Sequence, residues 1–179
     1  MVSIWGWDMR FSLIKVAVLS VFQIALSSLV LHAQSESSRT VADYKSLGID
    51  INLVVEGNIK QICKDILGYE YPAAAIICKR NENRLAWQIS TKGKHGLITS
   101  LVVIENGKVV NCRILSSREE RGKQISKKRY LKQFTNLSLK KSNRLSKRVD
   151  AISGATISSK AVMSAVVLAL RLSEEKVQN

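Results

Sequence analysis

Asn106-Gly107 constrains this chain more tightly than any other pair in it. Both central residues of a type I′ turn need positive φ, and Asn-Gly supplies that at low steric cost. An antiparallel hairpin running from Gly96-Leu97 to Leu115 is therefore expected. Its two-residue loop places Val103 opposite Val110 and Leu101 opposite Cys112 on one face, with Asn111 and Arg113 turned away. Cys112 is thereby assigned to the core rather than to chemistry. Upstream, Ala73 to Cys78 has the pattern of a buried strand. Leu85, Trp87, Ile89 and Thr91 alternate with Ala86, Gln88 and Ser90 in a second, across a polar turn at Asn81 to Asn83. Ile49, Ile51, Leu53 and Val55 alternate in the same way.

Three segments follow helical spacing instead. Ile59, Ile62, Cys63, Ile66 and Leu67 recur at three and four, with Gly68 as a stop. Ser126 is placed as an N-cap, with Ile125 and Tyr130 as a hydrophobic staple, opening a short basic helix through Phe134. Thr135 to Arg148 is polar, cationic and without a period, hence a surface loop. Ile157 to Leu172 is apolar except for a narrow stripe of Lys160, Ser164 and Arg171, on which Val167 also falls, so it must be largely buried. The expected fold class is α+β: a small antiparallel sheet with a hairpin packed against a buried C-terminal helix, plus flanking helices. The 179 residues divide into a targeting segment at 1–33, the first part of one domain at 34–91, its site-bearing part at 92–172 and a polar tail at 173–179.

The targeting assignment rests on Arg10 and Lys15 followed by Val16 to Ala33, which carries no formal charge. Its length suits a cleaved signal peptide, with Ala33 and Gln34 flanking the cut, and also a short N-terminal membrane anchor. Both place the rest of the chain outside the cytoplasm, in the periplasm or facing it. Cys63, Cys78 and Cys112 show no CxxC spacing and no nearby histidine cluster, so a metal site has no support. Cys63 with Cys78 as a pair, or three buried thiols, are both compatible with that context. The net charge of +14 is concentrated between Lys108 and Arg148, where fourteen Lys or Arg face only Glu119 and Glu120. Nucleic acid is set aside as a partner: the stretch has only Tyr130 and Phe134 as aromatics, and no nucleic-acid motif is present. His95 is read as a loop residue, and Glu119 and Glu120 as part of a solvated loop. Without a base beside a nucleophile, no hydrolase constellation forms and no catalytic residue is assigned.

The informative residues are Asp150-Ala151-Ile152-Ser153-Gly154-Ala155-Thr156, just ahead of the apolar C-terminal segment. Gly154 lets backbone approach a ligand, and the following helix offers unpaired N–H groups near Ile157, Ser158 and Ser159. A phosphate suits that place, and Thr156 would set a hydroxyl beside it. The same residues could equally make an ordinary helix cap in which Ser153 or Thr156 accepts a backbone N–H.

Asp-x-x-Ser-Gly-Ala-Thr followed by Ile-Ser-Ser resembles the flavinylation motif of the FMN-binding domain family, which includes the C subunit of the sodium-pumping NADH:quinone reductase and the G subunit of the Rnf complex. The resemblance covers roughly Lys92 to Leu170. It implies that Thr156 bears FMN covalently through a phosphoester, placed there outside the cytoplasm by an ApbE-type flavin transferase that uses FAD. Asp150, Ser153, Gly154 and Ala155 would then be read by the transferase and shape the phosphate turn. The Thr-Pro-Gly-containing loop of many members is replaced here by Ser117-Arg118-Glu119-Glu120-Arg121-Gly122, so only Gly122 is carried over as a residue near the ring. The function implied is electron transfer with a membrane or envelope redox partner, as a carrier or subunit of an oxidoreductase, with no small-molecule substrate indicated. An envelope-binding domain that docks anionic lipid, polymer or protein through its basic face is the reading from another class.

Overall fold

A computed structural model of the chain describes residues 49–178 other than Glu82, Glu120 and Arg121. Contacts divide the chain into Met1–Ser46 and Leu47–Asn179, and the described residues all belong to the second unit. The expected targeting segment 1–33 and the polar stretch after it lie outside them, as do Glu120 and part of the Asn81–Asn83 turn.

Five antiparallel strands form one sheet in sequence order: β1 (Ile49–Val54), β2 (Ala75–Asn81), β3 (Arg84–Lys92), β4 (Leu97–Glu105) and β5 (Lys108–Ser117). Helix α1 (Gly57–Leu67) joins β1 to β2 and stops at Gly68, whose φ of 76° is left-handed and whose N–H bonds the carbonyl of Lys64. Past β5 come α2 (Lys128–Leu131), a tiny hairpin of β6 (Leu139–Lys140) and β7 (Arg144–Leu145), and the long α3 (Thr156–Gln178). The architecture is α+β, with α3 laid across β3 and β4 and touching α1.

The core lies between the sheet and α3. Trp87, Ile89, Ile98 and Val102 on the sheet meet Val162, Ala165, Val166 and Ala169 on the helix, all buried. The small residues on α3 let its backbone come close to the strands. Polar ties fix how the helix lies: Trp87 Nε1 donates to Ser173 Oγ at 2.7 Å, and Thr91 Oγ1 donates to the Ala161 carbonyl at 3.1 Å. Ser173 also shows that the helix continues to Gln178 where a polar tail was expected, because Ser173 is buried and part of this packing. The exposed side of α3 is the anticipated stripe, with Lys160 exposed and Ser164, Val167 and Arg171 half-buried.

Asn106 and Gly107 do adopt positive φ, 51° and 71°. The register beyond them differs from the simple expectation. Val103 pairs with Asn111 rather than Val110, and Leu101 with Arg113 rather than Cys112. A β-bulge between Val103 and Ile104 inserts Val110 as an extra residue, which shifts the strand by one. Val109 and Cys112, three apart, consequently both face the core.

Two further expectations need correction. The helix after Ile125 starts at Lys128 with Lys127 at the N-cap, and no side-chain cap from Ser126 is made. Ile125 and Tyr130 are nonetheless both buried in the core. Residues 135–148 are more than loop: Leu137 is buried, Val109 N–H bonds its carbonyl, and Ser138 and Ser146 close β6 on β7. No period is visible in the sequence there because each strand is only two residues long.

Candidate functional site

The turn that enters α3 is built by Gly154. Its φ of 74° occupies the third position of a turn closed by Ala155 N–H to the Ile152 carbonyl at 2.9 Å. That position demands positive φ, which a residue with a Cβ adopts only at a cost. The first regular helical bond follows at once, from Ser159 N–H to the Ala155 carbonyl at 2.9 Å. The N–H groups of the turn before Ser159 therefore have no acceptor within the helix and point out of its end.

Around this turn, side chains hold the backbone from three sides. Ser159 Oγ accepts from Ile152 N–H at 3.0 Å, and Tyr130 OH donates to the Ser159 carbonyl at 3.1 Å. Gln133 Oε1 accepts from Asp150 N–H at 2.9 Å. The Asp150 carboxylate faces solvent, 3.7 Å from Arg148. Ser158 is buried, and its hydroxyl donates to Glu119 Oε2 at 2.5 Å.

Glu119 is the residue that sequence reasoning missed. Rather than sitting in a solvated loop, it is 8% exposed, with Oε1 accepting from His95 N–H at 2.6 Å. Burial pushes its carboxyl up, but Ser158, the backbone N–H groups of His95 and Lys94, and the neighbouring imidazole together bring it below the ordinary value of 4.5. A signal for this existed in Gly93. A Cβ there would lie 2.6 Å from Glu119 Oε1 and 2.8 Å from Ile98 Cδ1, so glycine is needed for the carboxylate to fit.

These elements enclose a cleft of about 420 Å³. One wall is Lys94, His95 and Glu119; the other is Gly154, Ala155, Thr156, Ile157 and Ser158. The structure thus brings five of the sequence-derived site residues to one cleft. Asp150, Ser153 and Ser159 are not among those lining it: Asp150 and Ser153 are exposed on its approach, and Ser159 is buried beneath it. Gly122 opens the short 3-10 turn Gly122–Gln124. Thr156, the first residue of α3, is exposed, and Ile157 beside it is 53% exposed, an apolar surface next to free backbone donors.

The arrangement fits a phosphate-bearing cofactor. Unbonded N–H groups and the positive end of a 23-residue helix favour an anion at Thr156. The volume lies within the roughly 300–1,000 Å³ of small-molecule and cofactor sites. Fold and site together define an α+β domain with a cleft at the mouth of its buried helix, where free N–H groups would favour an anion. Residues 93–171, from the Glu119-gripped loop to the far end of the core helix, match the family model of the FMN-binding domain. That match supports a flavin-binding role for the stretch. No curated protein matches the chain.

Proposed function

We propose that this chain is an exported electron-transfer flavoprotein whose FMN is joined by a phosphoester to Thr156. The observation that carries this reading is the position of Thr156: an exposed hydroxyl on the first residue of α3, lining the cleft and flanked by free helix N–H groups. Attachment by an ApbE-type transferase balances simply. The Thr156 oxygen bonds to the FMN phosphorus of FAD, the pyrophosphate link breaks, AMP departs and the hydroxyl proton is released. The phosphate then rests where the helix dipole and the N–H groups of Ile157 and Ser158 favour negative charge.

When bound, the flavin supplies one- and two-electron chemistry, and the protein's part is to hold and orient it. Gly154 lets the phosphate approach the backbone, and Ile157 offers an apolar surface beside it. Asp150 and Ser153, exposed on the approach, are available to the transferase before the cleft is filled. A covalent tether suits a compartment in which free flavin would be diluted away. Export is supported by the uncharged run Val16 to Ala33 behind Arg10 and Lys15. The electron donor or acceptor would be a membrane or envelope component.

The basic stretch gives the second reading its footing. Between Lys123 and Arg148 ten Lys or Arg are exposed, and no acidic residue occurs there. A domain that only docked anionic lipid or polymer would use that surface and leave Thr156 unmodified. Intact mass after co-expression with a flavin transferase and export separates the two. A gain equal to FMN less water, absent from Thr156→Ala, supports the flavoprotein. Colourless protein of unchanged mass, from cells in which the transferase labels another acceptor, overturns it.

A further inference from the structure

We infer that Glu119 is a positioning residue that straps the 93–96 loop to the first turn of α3, and that Lys94 and His95, held by this strap, form the wall against which the group on Thr156 is seated. This rests on the reading that Thr156 carries FMN. It adds how the seat is held and which residues face the cofactor across the cleft.

Nothing local explains why a carboxylate should be buried at position 119. It belongs to no ion pair with a lysine or arginine among the described residues. Its oxygens instead take donors from both walls, among them the His95 backbone N–H at 2.6 Å and the Ser158 hydroxyl at 2.5 Å. The loop and the helix turn are far apart in sequence and are bridged by this side chain. Charged hydrogen bonds of that length are the strong kind, and a buried charge satisfied from both sides resists displacement.

The surroundings are shaped to keep it there. Gly93 leaves room for Oε1, as no residue with a Cβ would. The loop is itself pinched shut by Gly93 N–H to the Gly96 carbonyl at 2.7 Å. The Glu119 backbone is fixed too, its N–H donating to Ser117 Oγ at 3.2 Å. With loop and carboxylate immobilised, the side chains of Lys94 and His95 are presented on the cleft side facing Gly154 to Ser158. Both are cation-forming groups, suited to a phosphate or to the negative charge of a reduced flavin.

The test uses full-length, exported protein carrying the flavin. Parent, Glu119→Ala, Glu119→Gln and Gly93→Ala are compared by initial rate of flavin incorporation, by time-resolved fluorescence anisotropy of the attached flavin, and by melting temperature. In the parent the flavin should tumble with the protein. Glu119→Ala should slow incorporation roughly tenfold, the scale of one lost charged hydrogen bond, and give the flavin a fast local motion. Glu119→Gln should restore most of both, because its amide oxygen can accept from His95 while its NH2 donates to Ser158 Oγ. Gly93→Ala should reproduce the Ala phenotype with Glu119 still present, which keeps the inference testable should Glu119→Ala not fold. A labelled parent whose variants keep its incorporation rate and anisotropy, or lose only melting temperature, overturns the strap while leaving the flavoprotein intact. A parent that is never labelled beside a labelled control acceptor overturns both.

Discussion

The hydroxyl of Tyr130 donates to the Ser159 carbonyl at 3.1 Å, so a residue of the cationic segment bonds directly to the first turn of α3. The ring is buried, edge-on to Phe134 with centroids 5.4 Å apart. Segment and the turn that enters α3 are therefore one packed unit. Tyr130→Phe keeps the ring contact and removes only the donor, which should lower unfolding free energy by about 1 kcal/mol. Urea unfolding followed by far-UV circular dichroism checks this. A change below about a third of that figure would mean the bond is matched by water in the variant.

Gly154→Ala should do more damage to the site than to the fold. A φ of 74° costs a residue with a Cβ about 1–2 kcal/mol. The Ile152–Ala155 turn can relieve this by opening, which moves Thr156 relative to the free N–H groups. The expected result is a small drop in melting temperature with a larger fall in flavin incorporation. Equal incorporation in variant and parent would show that the turn's shape is not what the transferase needs.

The hairpin and the core helix were legible in the sequence because each signal there is local. Asn106-Gly107 fixes a turn from two residues, and the polar stripe through Lys160, Ser164 and Arg171 fixes which side of a helix faces water. Val110 was not legible as a bulge: alternation predicts strands without insertions, and nothing in Lys108 to Leu115 marks the extra residue. Glu119 failed for a different reason. A glutamate among arginines has the composition of a solvated loop, and its partners, His95 N–H and Ser158 Oγ, are set by tertiary structure. The turn at Thr156, one wall of the cleft, stands out in the sequence as a motif, whereas the opposite wall does not, because Lys94 and His95 carry no motif of their own.

The buried thiols should be silent. Burial pushes Cys63 up to about 11 and Cys112 up to about 12, and Tyr130 likewise to about 12. At pH 8 the reactive thiolate is nearly absent at both cysteines, so a disulfide-exchange reagent should label them only as fast as the protein opens. The same shifts set an alkaline limit. Because the folded state holds these protons above the ordinary values of 9.0 for thiols and 10.0 for tyrosine, it binds more protons than the unfolded chain there. Stability should fall as pH rises from about 9 toward 12. Denaturant midpoints across that range test the sign, and a midpoint flat through pH 11 would contradict it.

Charge gives the last expectation. Lys127, Lys128, Arg129, Lys132, Lys140, Lys141 and Arg144 are all exposed, with no acidic residue between Lys123 and Val149 to offset them. A field of one sign over that face raises the local concentration of anions and is screened within about 10 Å at 0.1 M salt. Reduced, flavin-loaded protein should therefore pass electrons to ferricyanide at a rate that falls steeply with ionic strength, while a neutral quinone shows little dependence. Lys140→Glu with Lys141→Glu and Arg144→Glu, exposed on the small β6–β7 hairpin, should flatten the ferricyanide slope with little change in melting temperature. If the triple variant keeps the parent's salt dependence, the basic face does not lie along the path by which anionic partners reach the cofactor, and its charge serves a surface other than the electron-transfer one.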